Sequence, residues 1–270
     1  DHVHLVFPLN LSLDGVHIIQ QNDSLPQVHD TVADIKSTIA DVQLIPLFRK
    51  QINIDRIEFN DMKLNTTNFI HEARVKGTIG MLELKSHGID LSGEIVRINK
   101  CNLKDANLDV SLSDTVPPDT TPSHNFWKIY ADNLNIENTD AVIHTPGDTL
   151  RIETYMGKTM ATGGYFDLYK GLYNVRKFDW QGGKLTYDNI YKGYTKGLDY
   201  NHLALSNITI GIDSLYYYDP KLSFNLRACA FKEKSGIEVS KLQGPMQMDS
   251  TCLRLPNLIF STPNSNLKAN

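Results

Sequence analysis

The side chains able to do chemistry are few in this chain of 270 residues, and they are scattered. The string MGKT at Met156–Thr159 resembles the end of a phosphate-binding loop. Such a loop needs a glycine five residues before Gly157, and that position is Ile152. No GxSxG nucleophile elbow and no HExxH zinc motif occurs. Of nine histidines, only His2 and His4 stand close together. His202 sits in the phrase HLALSN and reads as a turn or strand-edge residue, not a base. Cys101, Cys229 and Cys252 match neither a zinc spacing nor a CxxC pair; Cys229 and Cys252 can pair only if their strands are neighbours. Asp132, Glu137 and Asp140 lie near one another, as on a solvated strand. The aromatic groups Tyr165, Phe166, Tyr169, Tyr173 and Tyr216, Tyr217, Tyr218 suit a sugar-stacking platform, or ordinary packing or an interfacial rim at strand edges. The chain is therefore expected to be no enzyme and to hold no metal or cofactor.

Charge narrows the partners. The net charge is −4 and the pI about 6.1. Nucleic acid needs clustered Lys and Arg to neutralise phosphates, and an anionic bilayer surface needs a polybasic patch. Neither is present, so no nucleic-acid partner is expected. No run approaches the roughly 20 apolar residues that span a bilayer. The sequence opens at Asp1 without a signal-peptide pattern, and is expected to be part of a longer chain.

What remains is pattern, and the pattern has a period of two, which places alternate side chains on opposite faces of a strand. Val75, Gly77 and Ile79 alternate with polar residues, as do Ile208, Ile210 and Ile212. The run Leu222, Phe224, Leu226, Ala228, Ala230 follows, then Ile237, Val239 and Leu242, then Leu253, Leu255, Leu258 and Phe260. Turn chemistry falls between at Asn60–Asp61, His87–Gly88, Gly182–Gly183, Asp219–Pro220 and Ser235–Gly236. Thr31–Ala40 has some helical spacing but is read as a strand, and Pro46–Arg49 suits one helical turn. The expected fold is all-β: a long, strongly curved sheet of roughly sixteen to eighteen strands of about six to twelve residues, with very little helix.

The stretch QINIDRIEFNDMKLN departs from strict alternation. Its apolar pairs, Ile52/Ile54, Ile57/Phe59 and Met62/Leu64, recur every five residues. A bulge or tight bend at Asp55–Arg56, and again at Asn60–Asp61, is needed to keep all six on one face. Looser units continue at Leu82/Leu84, Ile89/Leu91, Val96/Ile98 and Leu103, Leu108, Val110, Leu112. Such units stack into an extended sheet or solenoid. The Pro-, Thr- and Asp-rich segment 114–124 divides a first β region, 1–113, from a second, 125–270.

Three stretches resemble the TamB/AsmA superfamily, in its Bacteroidetes type. They are Asp30–Asn65, with a Pro-Leu turn followed by I-x-I-x-x-I-x-F, Phe126–Ile143, and Gly197–Ala269, which contains HLALSN, FKEKSGIEVSKLQG and LPNLIFSTPNSNL. The resemblance implies the region near the family's N-terminal membrane helix. It further implies a periplasmic β-taco with an apolar inner face, attached to the inner membrane through parts outside this sequence. A TamA-like outer-membrane barrel would be its partner, and phospholipid movement and outer-membrane assembly its roles.

The physics of such a groove is simple. A two-chain lipid in water exposes roughly 30 methylenes at about 0.8 kcal/mol each, on the order of 20 kcal/mol. An apolar trough about 80 Å long removes most of that barrier without a catalytic group. The lipid-groove candidates are Ile52, Ile54, Ile57, Phe59, Val75, Ile79, Leu82, Leu84, Ile89, Leu91, Val96, Ile98, Leu108, Val110, Ile208, Ile210, Ile212, Leu222, Phe224, Leu226, Ile237, Val239, Leu255, Leu258 and Phe260. An apolar face of period two also suits the closed core of a glycan-binding or adhesin-like sandwich.

Overall fold

In a computed structural model of the chain, residues 2–6, 10–21, 29–42, 54–66, 73–90, 93–112 and 126–269 are described. They form sixteen strands and one 3-10 turn, Pro146–Asp148. The strands are β1 (His2–Val6), β2 (Asn10–Gln21), β3 (His29–Val42), β4 (Ile54–Asn65), β5 (Ala73–Asp90), β6 (Ile95–Leu112), β7 (Lys128–His144) and β8 (Leu150–Asp167). There follow β9 (Leu172–Asn189), β10 (His202–Tyr218), β11 (Lys221–Glu233), β12 (Glu238–Val239), β13 (Lys241–Met248), β14 (Leu253–Arg254), β15 (Leu258–Thr262) and β16 (Ser265–Ala269). All belong to one open sheet in chain order, with the two-residue β12 and β14 pairing off the main path. No helix among the described residues is long and apolar enough to cross a membrane.

Neighbours pair antiparallel everywhere except at β6–β7, which run parallel. These two strands flank the segment 114–124, so the sheet is continuous across it; the segment itself, like Pro46–Arg49, lies outside the described residues. Thr31–Ala40 is strand, within β3.

The central strands reach 18 residues, longer than the sequence suggests. Asn60–Asp61, His87–Gly88 and Gly182–Gly183 are not chain reversals. They are interruptions inside β4, β5 and β9, whereas Asp219–Pro220 and Ser235–Gly236 are true turns. Both expected interruptions in β4 are present, the first as a bulge and the second as a bend. The register with β3 skips at Asp55, between the Asp41–Arg56 and Val42–Ile54 pairs. Asp61 takes a left-handed backbone, φ 51°.

Asp61 is one of a series. Left-handed residues recur at one level across the sheet: Gly15, Asp61, Asp105, Asn138, Gly182 and Asn207. Only Gly, Asp and Asn stand here, the residue types that adopt this conformation at least cost. Each bends its strand and resets the alternation, so residues three apart, such as Phe59 and Met62, face the same way. The bend closes on the apolar side. Phe59, Leu82 and Leu103 from one flank and Leu64 and Leu108 from the other pack on the buried Ala33, Ile35, Met62, Ile79 and Ala106. A second line of interruptions, with Gly163 and Ser214 left-handed, crosses β8 and β10 nearer their other ends. The sheet is thus creased lengthwise, with a floor between the creases and a wall on either side.

Candidate functional site: an open apolar trough

Cross-strand partners share a face, so the register assigns the trough residue by residue. One floor row runs from Leu13 and Thr38 through Phe59, Leu82, Leu103, Ile136, Thr159, Trp180 and Ile210 to Cys229. The next comprises Ala40, Ile57, Leu84, Cys101, Leu134, Ala161, Phe178, Ile212 and Leu226. On one wall Ile79 stands between Met62 and Ala106, Leu108 between Gly77 and Ala141, and Val75 opposite Val110. Ile208, opposite Gly183, is fully buried at the foot of this wall. On the other wall lie Ile98 with Ala131, and Val96 with Ile129, Phe166, Tyr173, Tyr217 and Leu222. Phe224 faces Met246.

The remaining candidates are placed differently. Val239 is buried opposite Phe231, Leu258 opposes Ala269, and Phe260 lies between Leu242 and Leu267. Ile237 is exposed in the turn before β12, and Leu255 falls between β14 and β15 rather than in a strand. Ile52 and Leu91 lie outside the described residues. Ile54 and Ile89 are placed by backbone alone, opposite Val42 and Val96. The alternation Leu222, Phe224, Leu226, Ala228, Ala230 does not hold throughout. The register skips at Arg227, so Ala228 pairs with Gly211 on the outer face and Cys229 turns inward.

Sequence pattern missed the most distinctive floor strand, β9. Its inward residues are Tyr173, Val175, Phe178, Trp180, Gly183, Leu185 and Tyr187. The pair Gly182–Gly183 looks like a hairpin and so splits this series. Gly183 has a packing reason instead, since a Cβ there would fall 2.3 Å from Trp180 Cε2.

The trough is open. Phe59, Leu82, Leu103, Leu134, Ile136, Phe178, Ile210 and Ile212 are each only partly buried, where a sandwich core would seal them. The accessible surface is 17113 Å² for 30.5 kDa, against about 11,800 Å² for a compact chain of that mass.

The outer face is polar and cross-linked. Glu58 and Glu83 stand directly opposite one another, a repulsive arrangement that Arg56 neutralises by binding both, with Nε 2.8 Å from Glu83 Oε1. Burial pulls the Glu83 carboxyl up, but the hydrogen bonds from Arg56 and Asn102 and the nearby Lys100 and Lys85 outweigh it, leaving it below the ordinary range. Asn135 extends the ladder to Asn102 at 2.9 Å. Farther along, Arg227 bridges Asp179 and Asp213. Asp132 accepts from Asn99 at 3.1 Å, Glu137 pairs with Lys104 at 2.9 Å, and Asp140 is exposed.

One buried polar cluster clasps the β9–β10 connection. Asp199 and His202 are each 2% exposed, with His202 Nδ1 2.9 Å from Asp199 and Nε2 3.4 Å from Asp188. Asp199 also accepts the backbone N–H groups of Thr195 at 2.7 Å and Asn201 at 3.0 Å. The Thr195 bond, with those from His202 and Asn201, overrides burial and pulls the carboxyl down to about 2. The ring of Tyr194 stacks on His202, centroids 3.9 Å apart. Every polar atom here serves the connection itself.

MGKT lies extended within β8, unlike a phosphate loop. The three cysteines are free, and no metal-competent cluster exists among the described residues. The aromatic groups divide between faces. Phe166, Tyr173 and Tyr217 continue the inner wall, with Tyr173 and Tyr217 stacked at 5.8 Å. Tyr130 and Tyr165 lie 5.0 Å apart on the outer face, where Arg97 covers Tyr130. No protein-family model matches the chain, and no curated protein matches its sequence.

Proposed function

We propose that this chain is a non-enzymatic lipid conduit of the bacterial envelope, a TamB/AsmA-like segment that shields acyl chains on their way between inner and outer membranes. Its place is the periplasm, in a protein anchored in the inner membrane and working with a TamA-like barrel in outer-membrane assembly. The observation that carries the reading is the open trough: contiguous, mostly apolar rows, half-exposed, crossing strand after strand. A hydrocarbon chain laid there leaves water at about 25 cal/mol per Å² of apolar surface covered. A largely apolar lining holds it without fixing its position, which suits passage better than storage. The polar outer face lets such a sheet stand in water. A glycan-binding sandwich requires a sealed core and one aromatic platform, whereas the tyrosines lie on two faces.

The test is to place charge on the floor and wall. Ile210→Asp and Phe224→Asp retain the strand circular dichroism of the wild type and lose the phospholipid that co-purifies with it, as read by mass spectrometry of extracts. Equal phospholipid in wild type and variants overturns the conduit.

A further inference from the structure

The outer face carries a row of side chains that the trough does not use. Arg97, Tyr130, Tyr165, Asn174, Tyr216 and Ser223 stand opposite one another in register from β6 to β11. Around Glu83 and Asp179 the same face is built from ion pairs and amide bonds. This row instead holds three tyrosines, and no carboxylate or aliphatic side chain. The tyrosines are partly exposed, and Tyr218, two residues beyond Tyr216 on the same face, is 44% exposed. Tyr165 and Tyr216 belong to β8 and β10, two strand spacings or about 9.6 Å apart, with the amide of Asn174 between them. Cations border the row. The Arg97 guanidinium carbon is 4.7 Å from the centre of the Tyr130 ring, and the adjacent row toward the strand ends includes Lys128 and Lys221. None of these three cations joins an ion pair among the described residues. The acid in that adjacent row, Asp167, is 2% exposed and is occupied by the Tyr165 hydroxyl and the Lys170 N–H.

We propose that this outer row binds an extended, carboxylate-bearing glycan chain laid across the strands. A sugar ring presents a flat C–H face that stacks on tyrosine, and hydroxyls that pair with an amide or a tyrosine hydroxyl. Tyrosines repeating at two strand spacings suit alternate units of an extended chain. From Arg97 to Ser223 the row covers five spacings, about 24 Å, room for several sugar units. Arg97 and the flanking lysines set the sign of the ligand, since a guanidinium takes a carboxylate through two parallel hydrogen bonds. A bilayer surface fits less well, because the row holds no aliphatic side chain to insert. The site lies on the face opposite the trough, so it leaves the lumen free and does not depend on what travels there.

The experiment titrates the purified chain with hexagalacturonate, and with cellohexaose as the uncharged chain, by isothermal titration calorimetry. Wild type binds hexagalacturonate about tenfold or more tighter than cellohexaose, the worth of one hydrogen bond to a charged group. Tyr216→Ala weakens hexagalacturonate binding about fivefold or more, and Arg97→Gln brings the two oligosaccharides level. Both variants keep the strand circular dichroism and the co-purifying phospholipid of the wild type, so their loss is not a loss of fold. Failure of wild type to bind hexagalacturonate overturns the proposal. So does binding that survives both substitutions, or binding that cellohexaose matches. Sedimentation with phosphatidylglycerol vesicles in place of oligosaccharide binding makes the row a membrane contact and overturns it as well. The conduit stands or falls separately, on the phospholipid that wild type carries.

Discussion

Asn207 shows what single residues do in this sheet. Its backbone is left-handed, φ 54°, one position before the buried Ile208. A β-branched side chain resists that conformation by about 1–2 kcal/mol. Asn207→Val is expected to lower unfolding free energy by this amount in urea titration, and Asn207→Gly to leave it nearly unchanged. Gly183 is constrained differently, by the indole lying on it. Gly183→Ala should cost about 1–3 kcal/mol as overpacking, and should shift Trp180 emission as the ring is displaced. Asp199 contributes to acid behaviour. Its folded value, about 2, lies below the roughly 3.9 of an unfolded aspartate. Its contribution is therefore present above about pH 4 and disappears as pH falls through about 2. The melting midpoint of wild type should fall toward that of Asp199→Asn across this window; a constant gap between the two would contradict the assignment.

At the scale of the strand, the sequence announces most of what forms. Period two marks the strands, and the five-residue recurrence around Ile57 and Met62 locates both interruptions in β4. What it conceals is that the same device repeats. Leu13-Asp-Gly-Val, Phe59-Asn-Asp-Met, Leu103-Lys-Asp-Ala, Ile136-Glu-Asn-Thr and Leu205-Ser-Asn-Ile share one arrangement: apolar, polar, left-handed-tolerant, then inward again. The same small polar residues also make hairpins, so Gly182–Gly183 reads as a reversal when local chemistry alone is consulted. Pairing across the sheet separates the two cases, since a reversal ends a ladder and a crease keeps it running. That is also why Trp180, Phe178 and Cys229 are hidden as floor residues while Ile210 and Ile212 are apparent. The skip at Arg227 is hidden for the same reason. Its benefit appears only in three dimensions, where the guanidinium reaches Asp179 and Asp213 on strands β9 and β10.

Across the whole molecule the strands follow one another in a single row, and fourteen lie along the main path of the sheet. At about 4.8 Å per strand this is about 62 Å of sheet, shorter than the roughly 80 Å expected from the sequence. A compact chain of this size has a radius of gyration near 18 Å. Small-angle X-ray scattering should give a clearly larger value and a skewed distance distribution. A globular profile near 18 Å would mean that the walls close over the floor. The all-β architecture and its strand number follow from the sequence because they depend on local alternation. The openness does not, because alternation is the same whether a greasy face meets a second sheet or nothing.

The crease line has a consequence for how such a channel can vary. Its angle is set by one left-handed backbone position on each of six strands, and those positions point no side chain into the lumen. Bore and lining are therefore separately adjustable. Exchanging a glycine or asparagine on the fold line alters how wide the gutter gapes, while exchanging an isoleucine alters what slides along it, and neither change obliges the other.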